Sequence, residues 1–451
     1  MTQGRLSKQI LFFSLPLILT NVLQVLFNMS DIAVVGRFSG PVALGAVGST
    51  SILVTLFTGF LIGVGNAINV LVARSVGSHE DQEVREFVHT AGILSLFIGI
   101  LVAALGISFS RALLELLGTK PELIDGATLY LRIYLLGMPA LSVFNFGNAV
   151  LSAVGDTKRP LVFLSIAGVI NVVLNLFFVI VCRLDVAGVA IASIISQYLS
   201  AGLVLLALHA REDACALRRA FLRITRGKAL RILSLGIPSG MQNAIFAIAN
   251  LFIQAGVNTF DATIVEGNSA ATNADALIYD VMAAFYTACA TFMGQNFGAG
   301  KKERILRSYF ISLAYSFGIG AVMGLLLVAF GRQFLALFTT DAAVAEAGMA
   351  RLTVMGFSYA VSAFMDCTIA AARGLGKSLV PTVIVILGSC VFRVIWVYTV
   401  FAYFGTITSL YLLYVFSWSI TSVAEILYFA ACYRKQMQTF RQDTPRLWQH
   451  A

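Results

Sequence analysis

The sequence predicts an all-α membrane protein: twelve transmembrane helices in two parallel six-helix repeats, an N-lobe and a C-lobe, around a central cavity. Composition is the first observation, since 59% of the 451 residues are hydrophobic, 12% are charged and the mean hydropathy is +0.87. Such a chain is too apolar to be a soluble protein of this length. An internal repeat is the second observation, because Leu15-Pro16 returns further along the chain as Ile237-Pro238. A repeat of this kind indicates duplicated structure, with the functional site expected between the halves.

The repeat extends through most of both halves. Asn21 and Asn28 recur as Asn243 and Asn250, at the same offset as the Leu-Pro and Ile-Pro pairs. Two further correspondences follow at slightly smaller offsets: Arg74–Gly77 with Gln295–Gly298, and Gly155–Lys158 with Gly374–Lys377. The slow drift of the offset predicts equal helix lengths with small changes in the loops.

Apolar stretches of about 20 residues or more, each able to cross a bilayer, occur twelve times in the chain. They lie at 9–35, 47–73, 87–110, 122–153, 160–182, 187–209, 229–259, 270–296, 305–330, 342–372, 379–404 and 408–433. Residues 1–210 are therefore predicted to form the N-lobe and residues 232–451 the C-lobe. Residues 211–231 form a basic linker, which is expected to lie in the cytoplasm and to touch anionic lipid headgroups.

The distribution of basic residues predicts the orientation. Of the 31 Lys and Arg residues, 23 fall in the two termini and in the loops that share their side of the membrane. The positive-inside rule then places both termini in the cytoplasm of a prokaryotic inner membrane. The net charge of +9 is explained by this topology, so no nucleic-acid partner is expected.

Motifs for enzyme chemistry are weak. The six cysteines form no Cys-x-x-Cys pair, and His79, His89, His209 and His450 all fall in or beside cytoplasmic segments. Gly374–Ser378 resembles the end of a nucleotide-binding loop, but the position of the first glycine is Ala371 and no strand precedes it. We expect no enzyme activity and no cofactor.

A polar stripe in the first span marks a candidate ion site. Asn21, Gln24, Asn28 and Asp31 recur at spacings of three and four, so they share one helix face. A carboxylate inside a span is costly, by roughly 2.5–3.5 kcal/mol on insertion scales. Asp31 is therefore interpreted as a group that binds and releases a cation or proton, with a helix-end residue as the alternative.

Other polar groups within the spans extend the candidate site. Asn171 and Asn175 share a face of the fifth span, where they could hydrogen-bond Asp31, coordinate a cation or simply pack between helices. Four residues are predicted to bind the coupling ion: Asn28, Asp31, Asn171 and Asn175. Seven are predicted to bind substrate: Asn145, Asn250, Gln254, Asp275, Tyr279, Ser362 and Asp366.

The remaining charges within spans are expected to be structural. Arg393 and Glu425 lie on adjacent spans at similar depths, so we predict an ion pair between them. Arg132 and Arg351 lie near the outer ends of equivalent spans, and we expect both to extend to the membrane interface.

Several motifs together resemble the multidrug and toxic compound extrusion (MATE) family, over nearly the whole chain. They are Leu15-Pro16 with Asp31, Arg74 with Gly77, Gly155–Lys158, Asn268–Ala271, Gly294–Gly300 and Arg373-Gly374. The resemblance implies a six-plus-six bundle that exports organic cations or amphipathic drugs in exchange for sodium or protons. It also implies that Asp31 is the coupling carboxylate and that Asn171 belongs to its network.

Asn175 stands where some DinF-like members have a second aspartate, and no seventh-span glutamate of the NorM-like type is present. The resemblance is therefore closer to the DinF-like side of the family. It leaves the coupling ion open between H⁺ and Na⁺, with Asp31, Asn171 and Asn175 as the expected ligands if the ion is sodium.

The leading function is thus a secondary multidrug antiporter. The alternative is a flippase for lipid-linked precursors or a polysaccharide exporter of the same superfamily, which usually needs a more cationic cavity. The expected partners are small cationic or amphipathic molecules and membrane lipids, and the chain is expected to act as a monomer.

Overall fold

The computed structural model describes residues 1–443, with side chains described through Gln438. His450 lies outside the described residues. The helices are α1 (Leu6–Phe38), α2 (Gly40–Gly77), α3 (Asp81–Leu116), α4 (Pro121–Leu135), α5 (Met138–Ala153), α6 (Lys158–Val181), α7 (Asp185–His209), α8 (Arg226–Val257), α9 (Ala262–Gly298), α10 (Lys302–Leu335), α11 (Ala342–Gly374), α12 (Leu379–Phe404) and α13 (Ile407–Asp443).

Within the described residues, eleven of these helices are long and apolar enough to cross a membrane. The pair α4 and α5, bent by 44° at a short break, forms the twelfth span. The prediction of an all-helical chain with twelve spans is therefore confirmed.

The fourth span is broken where the sequence predicted one continuous helix. Gly137 separates α4 from α5, and Pro139 is the second residue of α5, where its missing N–H leaves no helical bond unmade. Tight turns close the end of α4, with the N–H of Gly137 donating to the carbonyl of Tyr134 at 3.0 Å. The equivalent span, α11, contains no proline and is continuous to Gly374, as the absence of Pro and Gly between Phe357 and Arg373 predicts.

Turn geometry shows the repeat directly. Gly155 and Gly376 end their helices with φ of 91° and 80°, and His79 and Gly300 do so with φ of 57° and 69°. The two pairs have the same offset in sequence. The sequence alignment had paired Gly155 with Gly374 instead of Gly376, so that correspondence was wrong. Glycine suits these positions because a side chain is strained at positive φ.

The chain packs as two compact units that interleave in sequence. One contains Met1–Ile18, Gly77–His79 and the chain from Ile248 onward, and the other contains Leu19–Val76 and Glu80–Ala247. Helix α1 is therefore shared between the units, and so is α8. The predicted boundaries at 210 and 232 follow the repeat in the sequence, whereas the packing assigns Met1–Ile18 to the unit that holds the second repeat.

In the unit that includes the N-terminus, α9, α10 and α11 pack on one another and α11 packs on α13. Two glycines allow a close approach of α10 to α11, since a Cβ at Gly324 would collide with the carbonyl oxygen of Gly356. Small residues of this kind let transmembrane helices approach closely, where van der Waals packing drives association. The apolar face Leu6, Ile10, Phe13 and Leu17 of α1 completes this core, with Phe13 edge-on to Phe292 at 5.5 Å.

Arg304, at the start of α10, fastens the N-terminal residues to the same unit. Its guanidinium donates to the carbonyls of Gly4 at 2.8 Å and Met1 at 3.0 Å, and to the amide oxygen of Asn296 at 3.1 Å. Nearby, Lys301 donates to the carbonyl of Thr2 at 2.8 Å. These bonds fix the chain just before α1 begins.

The other unit has two apolar clusters, one toward each end of its helices. Phe87, Phe146 and Val204 are central to the first, and Leu61, Leu131 and Val189 to the second. Between them lie the polar residues of the candidate site.

Candidate ion and substrate sites

A polar cavity of about 440 Å³ lies inside the unit formed by residues 19–76 and 80–247. Helices α1, α2 and α4 to α7 contribute its walls. Five residues singled out from the sequence line it: Gln24, Asn28, Asp31, Asn145 and Asn171. None of the lining residues is a lysine or an arginine, so no basic side chain faces the Asp31 carboxylate from the cavity wall.

Asp31 is held by two donors from different helices. The amide of Asn175 on α6 donates to Oδ1, and the hydroxyl of Ser193 on α7 donates to Oδ2 at 3.3 Å. Asn175 also donates to the amide oxygen of Asn171 at 3.2 Å. The suggestion that the fifth-span asparagines hydrogen-bond Asp31 is thus confirmed for Asn175.

Ser193 was not predicted. The signal was present in the sequence, because Ser193, Ser196 and Ser200 recur at spacings of three and four in an otherwise apolar span. All three line the cavity. Serine is common in transmembrane helices, where its hydroxyl often bonds its own backbone, so the type of residue alone did not mark it as a site candidate.

Two amide groups of the site are only partly bonded. Asn175 is fully buried, yet its Oδ1 has no hydrogen-bond partner within the described structure. The same holds for Nδ2 of Asn145 on the cavity wall. Buried polar atoms normally find a partner or a bound molecule, so both atoms are available to a ligand.

The helix that carries Asn171 and Asn175 changes its winding directly after them. Residues Phe177–Val181 form a π-helical turn at the end of α6, and α12 has one at the equivalent place, Val397–Phe401. Such wider turns inside α-helices are frequent at functional sites.

The unit that includes the N-terminus holds a buried network of charged and polar side chains, not an open acidic face. Arg351 is 4% exposed and donates through Nε to Oδ2 of Asp275 at 3.0 Å and through Nη1 to Oδ1 of Asn268 at 2.9 Å. The hydroxyl of Tyr359 donates to Oδ1 of Asp275. Tyr411 donates to the same oxygen of Asn268 at 3.1 Å, and its ring lies 5.3 Å from the guanidinium.

This network corrects one prediction. Arg351 does not extend to the membrane interface, because its charge is neutralised by Asp275 inside the unit. For Asp275, which was predicted to bind substrate, both carboxylate oxygens are engaged by Arg351 and Tyr359. Arg132, the repeat partner of Arg351, donates instead to Ser110 at 3.0 Å.

The predicted ion pair of Arg393 and Glu425 is also wrong. Arg393 donates to the hydroxyl of Ser417 at 3.1 Å, and its guanidinium lies 4.7 Å from the ring centroid of Tyr414. Neither carboxylate oxygen of Glu425 has a hydrogen-bond partner in the described structure. Helix rise alone had placed the two residues within reach, but the aromatic side chains of α13 hold the guanidinium.

Three other predicted substrate residues of this unit lie together, because the hydroxyl of Tyr279 interacts with both Ser362 and Asp366. Ser362 is buried and its hydroxyl donates to the carbonyl of Tyr359 at 2.8 Å. Asp366, one turn further along α11, is partly exposed, and its Oδ2 is buried without a hydrogen-bond partner in the part of the chain that the structure describes. Tyr279 packs against Trp418 with ring centroids 6.0 Å apart.

On α8, Asn250 is exposed and Gln254 donates to Asn258 at 2.8 Å. Among the residues that the structure describes, no group of three or more His, Cys, Asp or Glu side chains is placed to hold a metal ion.

The twelve-span bundle of two repeats, with a cavity built around one partly buried carboxylate, defines a multi-pass membrane transporter. The family model MatE matches the chain twice, over residues 16–177 and 238–399. The chain belongs to the MatE family, whose members are transporters and not enzymes. The two matched segments begin at Pro16 and Pro238, the same pair of prolines that first marked the repeat in the sequence.

Individual relatives agree with this assignment. The probable multidrug resistance protein YpnP of Bacillus subtilis is 30% identical over 360 residues, covering 79% of this chain and 80% of that protein. A protein of Shewanella oneidensis named FAD transporter is 26% identical and covers 76% of each chain. A crystal structure of MATE in the bent conformation superposes with a TM-score of 0.89 at 20% identity, covering 97% of this chain and 98% of that one.

Proposed function

We propose that this protein is a secondary active antiporter that exports organic cations or amphipathic compounds in exchange for H⁺ or Na⁺. The observation that carries the proposal is the cavity around Asp31, where one carboxylate is held by Asn175 and Ser193 and no basic residue lines the wall. The similarity to a protein named as a probable multidrug resistance protein supports the same class of cargo.

The charge of the residues that line the cavity argues against anionic cargo. A carrier for phosphate-containing precursors, or for a dinucleotide such as the FAD carried by the Shewanella relative, needs cationic groups to replace the water around the phosphates. The lining residues of this cavity include one carboxylate and no lysine or arginine. Cationic cargo and a cationic coupling ion both suit such a wall, and binding of the two would compete.

For the coupling ion we favour the proton. Asp31 is the one titratable carboxyl group on the cavity wall, and its two hydrogen-bond partners are donors, an amide N–H and a hydroxyl. A sodium site needs several oxygen ligands directed at one point. Here the oxygen of Asn171 accepts from Asn175, so of these two amides only Asn175 has an oxygen free to join that cage.

We further propose that both termini lie in the cytoplasm of a prokaryotic inner membrane and that one chain is the transporting unit. The orientation rests on the 23 basic residues on one side. The partners are then small-molecule substrates and lipids, without nucleic acid.

Reconstitution of the full chain into proteoliposomes tests the proposal. Export of a permanently charged organic cation should follow an imposed proton gradient, and uptake of FAD under the same gradient should stay at the level of protein-free vesicles. Gradient-driven movement of FAD with no movement of the cation would replace the proposed function by that of an anion carrier.

A further inference from the structure

Hydrogen bonds fix the segment between α7 and α8 to the N-terminal part of α3. The N–H of Leu217 donates to the carbonyl of Leu208 at 3.1 Å. The N–H of Arg218 donates to Nε2 of His89 at 3.0 Å, and the N–H of Thr225 donates to the hydroxyl of Thr90 at 3.1 Å. Because His89 and Thr90 are buried, both ends of the segment 218–225 are held in place.

Between these anchor points the side chains face outward. Phe221, Leu222 and Ile224 are 49%, 47% and 52% exposed, although the segment is well ordered by its hydrogen bonds. The ring of Phe221 contacts the imidazole of His89 at 5.9 Å and the guanidinium of Arg85 at 5.8 Å, and about half of the side chain stays exposed. Three neighbouring apolar side chains held in this way need an apolar environment.

The same segment is strongly basic. Arg218, Arg219, Arg223 and Arg226 are all exposed and alternate with the apolar residues. Of these, Arg223 has an acidic neighbour, Glu86, at 3.5 Å. The result is a surface that combines apolar side chains with an excess of positive charge.

This surface lies where two transmembrane spans end, since α7 ends at His209 and α8 begins at Arg226. We propose that residues 218–226, here called the linker surface, bind anionic phospholipids. Phe221, Leu222 and Ile224 enter the interfacial layer of the bilayer, and the arginines bind the phosphates of the headgroups.

Anionic lipid fits this surface better than a second copy of the chain does. A symmetric dimer through the linker surface would bring two clusters of arginines together, and like charges at an interface are repulsive. Basic segments beside a membrane span are attracted to anionic lipid by about fivefold in affinity per arginine. Interfacial binding requires apolar and basic side chains on one surface, as found here.

A tryptophan at the surface reports its surroundings. The variant Phe221→Trp is reconstituted into vesicles of phosphatidylcholine and phosphatidylglycerol in equal amounts, with bromine on the acyl chains of one lipid or of the other. The fluorescence of the wild-type chain, which has three tryptophans of its own, is subtracted from that of the variant. The difference is the signal of the introduced tryptophan. We expect strong quenching in both cases and stronger quenching when phosphatidylglycerol carries the bromine.

The arginines are tested in the same background by Arg219→Gln, Arg223→Gln and Arg226→Gln together. The preference for brominated phosphatidylglycerol should disappear while quenching itself remains. An equal loss of charge elsewhere, by Arg111→Gln, Arg307→Gln and Arg332→Gln, should leave the preference intact. Circular dichroism and gel filtration verify that each variant is folded.

Three results would overturn the proposal. Absence of quenching by both lipids would place the linker surface in water. Equal quenching by both lipids in the Phe221→Trp protein would remove the selectivity for anionic headgroups, and so would a preference that survives the triple Arg→Gln change. A dimer in detergent that is lost in the variant Phe221→Ser would assign the surface to a second copy of the chain.

Discussion

Arg351 donates two N–H groups to a single carboxylate oxygen of Asp275, and Tyr359 binds the other oxygen. With Asn268 and two tyrosine rings around the same guanidinium, this is a largely buried ion pair within one compact unit. Removing the charge of either Arg351 or Asp275 would leave the charge of the other uncompensated in apolar surroundings.

Breaking this pair should destabilise the protein markedly. We expect Arg351→Gln to lower stability by about 3–5 kcal/mol, because loss of one partner strands the other charge. Thermal unfolding in detergent measures the effect. The matched control is Arg332→Gln, which breaks an ion pair with Glu346 whose side chains are 72% and 67% exposed, and it should cost about 1 kcal/mol or less. Equal losses of stability in the two variants would mean that the pair of Arg351 and Asp275 stabilises the protein no more than the exposed pair does.

The case of Arg351 shows what sequence patterns can and cannot decide. Hydropathy, the repeat and the absence of Pro and Gly between Phe357 and Arg373 of α11 predicted the spans correctly, since each depends on local chemistry. The partners of Arg351 depend on how α9 and α13 pack on α11, which no periodicity reports. Asn175 was found as a partner of Asp31 because an amide at i, i+4 from Asn171 stands out in an apolar span. Ser193 was missed because serine is common in transmembrane helices, where its hydroxyl often bonds its own backbone.

Helix packing gives a second prediction with an internal control. Gly324→Val should destabilise the chain by about 1–3 kcal/mol, because the new side chain would collide with the carbonyl oxygen of Gly356 and force α10 away from α11. Gly318 is on the same helix and a Cβ there meets nothing within 4 Å, so Gly318→Val should be tolerated. Yield of folded protein and melting temperature in detergent compare the two. A tolerated Gly324→Val would show that the helices can separate at no cost.

Asp366 is predicted to attract cationic cargo, because it is a partly exposed carboxylate whose Oδ2 has no hydrogen-bond partner in the described structure. The change Asp366→Asn keeps the shape and removes the charge. It should weaken export of organic cations by roughly tenfold, about 1.4 kcal/mol, and leave a neutral amphipathic substrate unaffected. Initial rates of export in proteoliposomes measure both. An equal loss for the two substrates would make Asp366 a structural or coupling residue.

Asp31 is predicted to be the coupling residue. Asp31→Asn should leave the protein folded, since an amide fills the same space, and should abolish export driven by a proton gradient. The control is Asp125→Asn, which removes a carboxylate whose side chain is 83% exposed in an ion pair with Arg111, and it should transport normally. Drug resistance at wild-type level in cells that express Asp31→Asn normally would refute the assignment.

We predict that the residue at position 175 determines which ion drives transport. With an amide at this position, transport should follow a proton gradient and ignore a sodium gradient once the proton gradient is collapsed. In the variant Asn175→Asp a second carboxylate joins Asp31, which adds charge and oxygen ligands and should introduce a response to sodium. Asn175→Ser removes the amide without adding charge, so it should weaken coupling and gain no sodium response. Export from proteoliposomes with each gradient imposed separately distinguishes the three proteins, and sodium-driven export by the wild-type chain would reverse the proposed coupling.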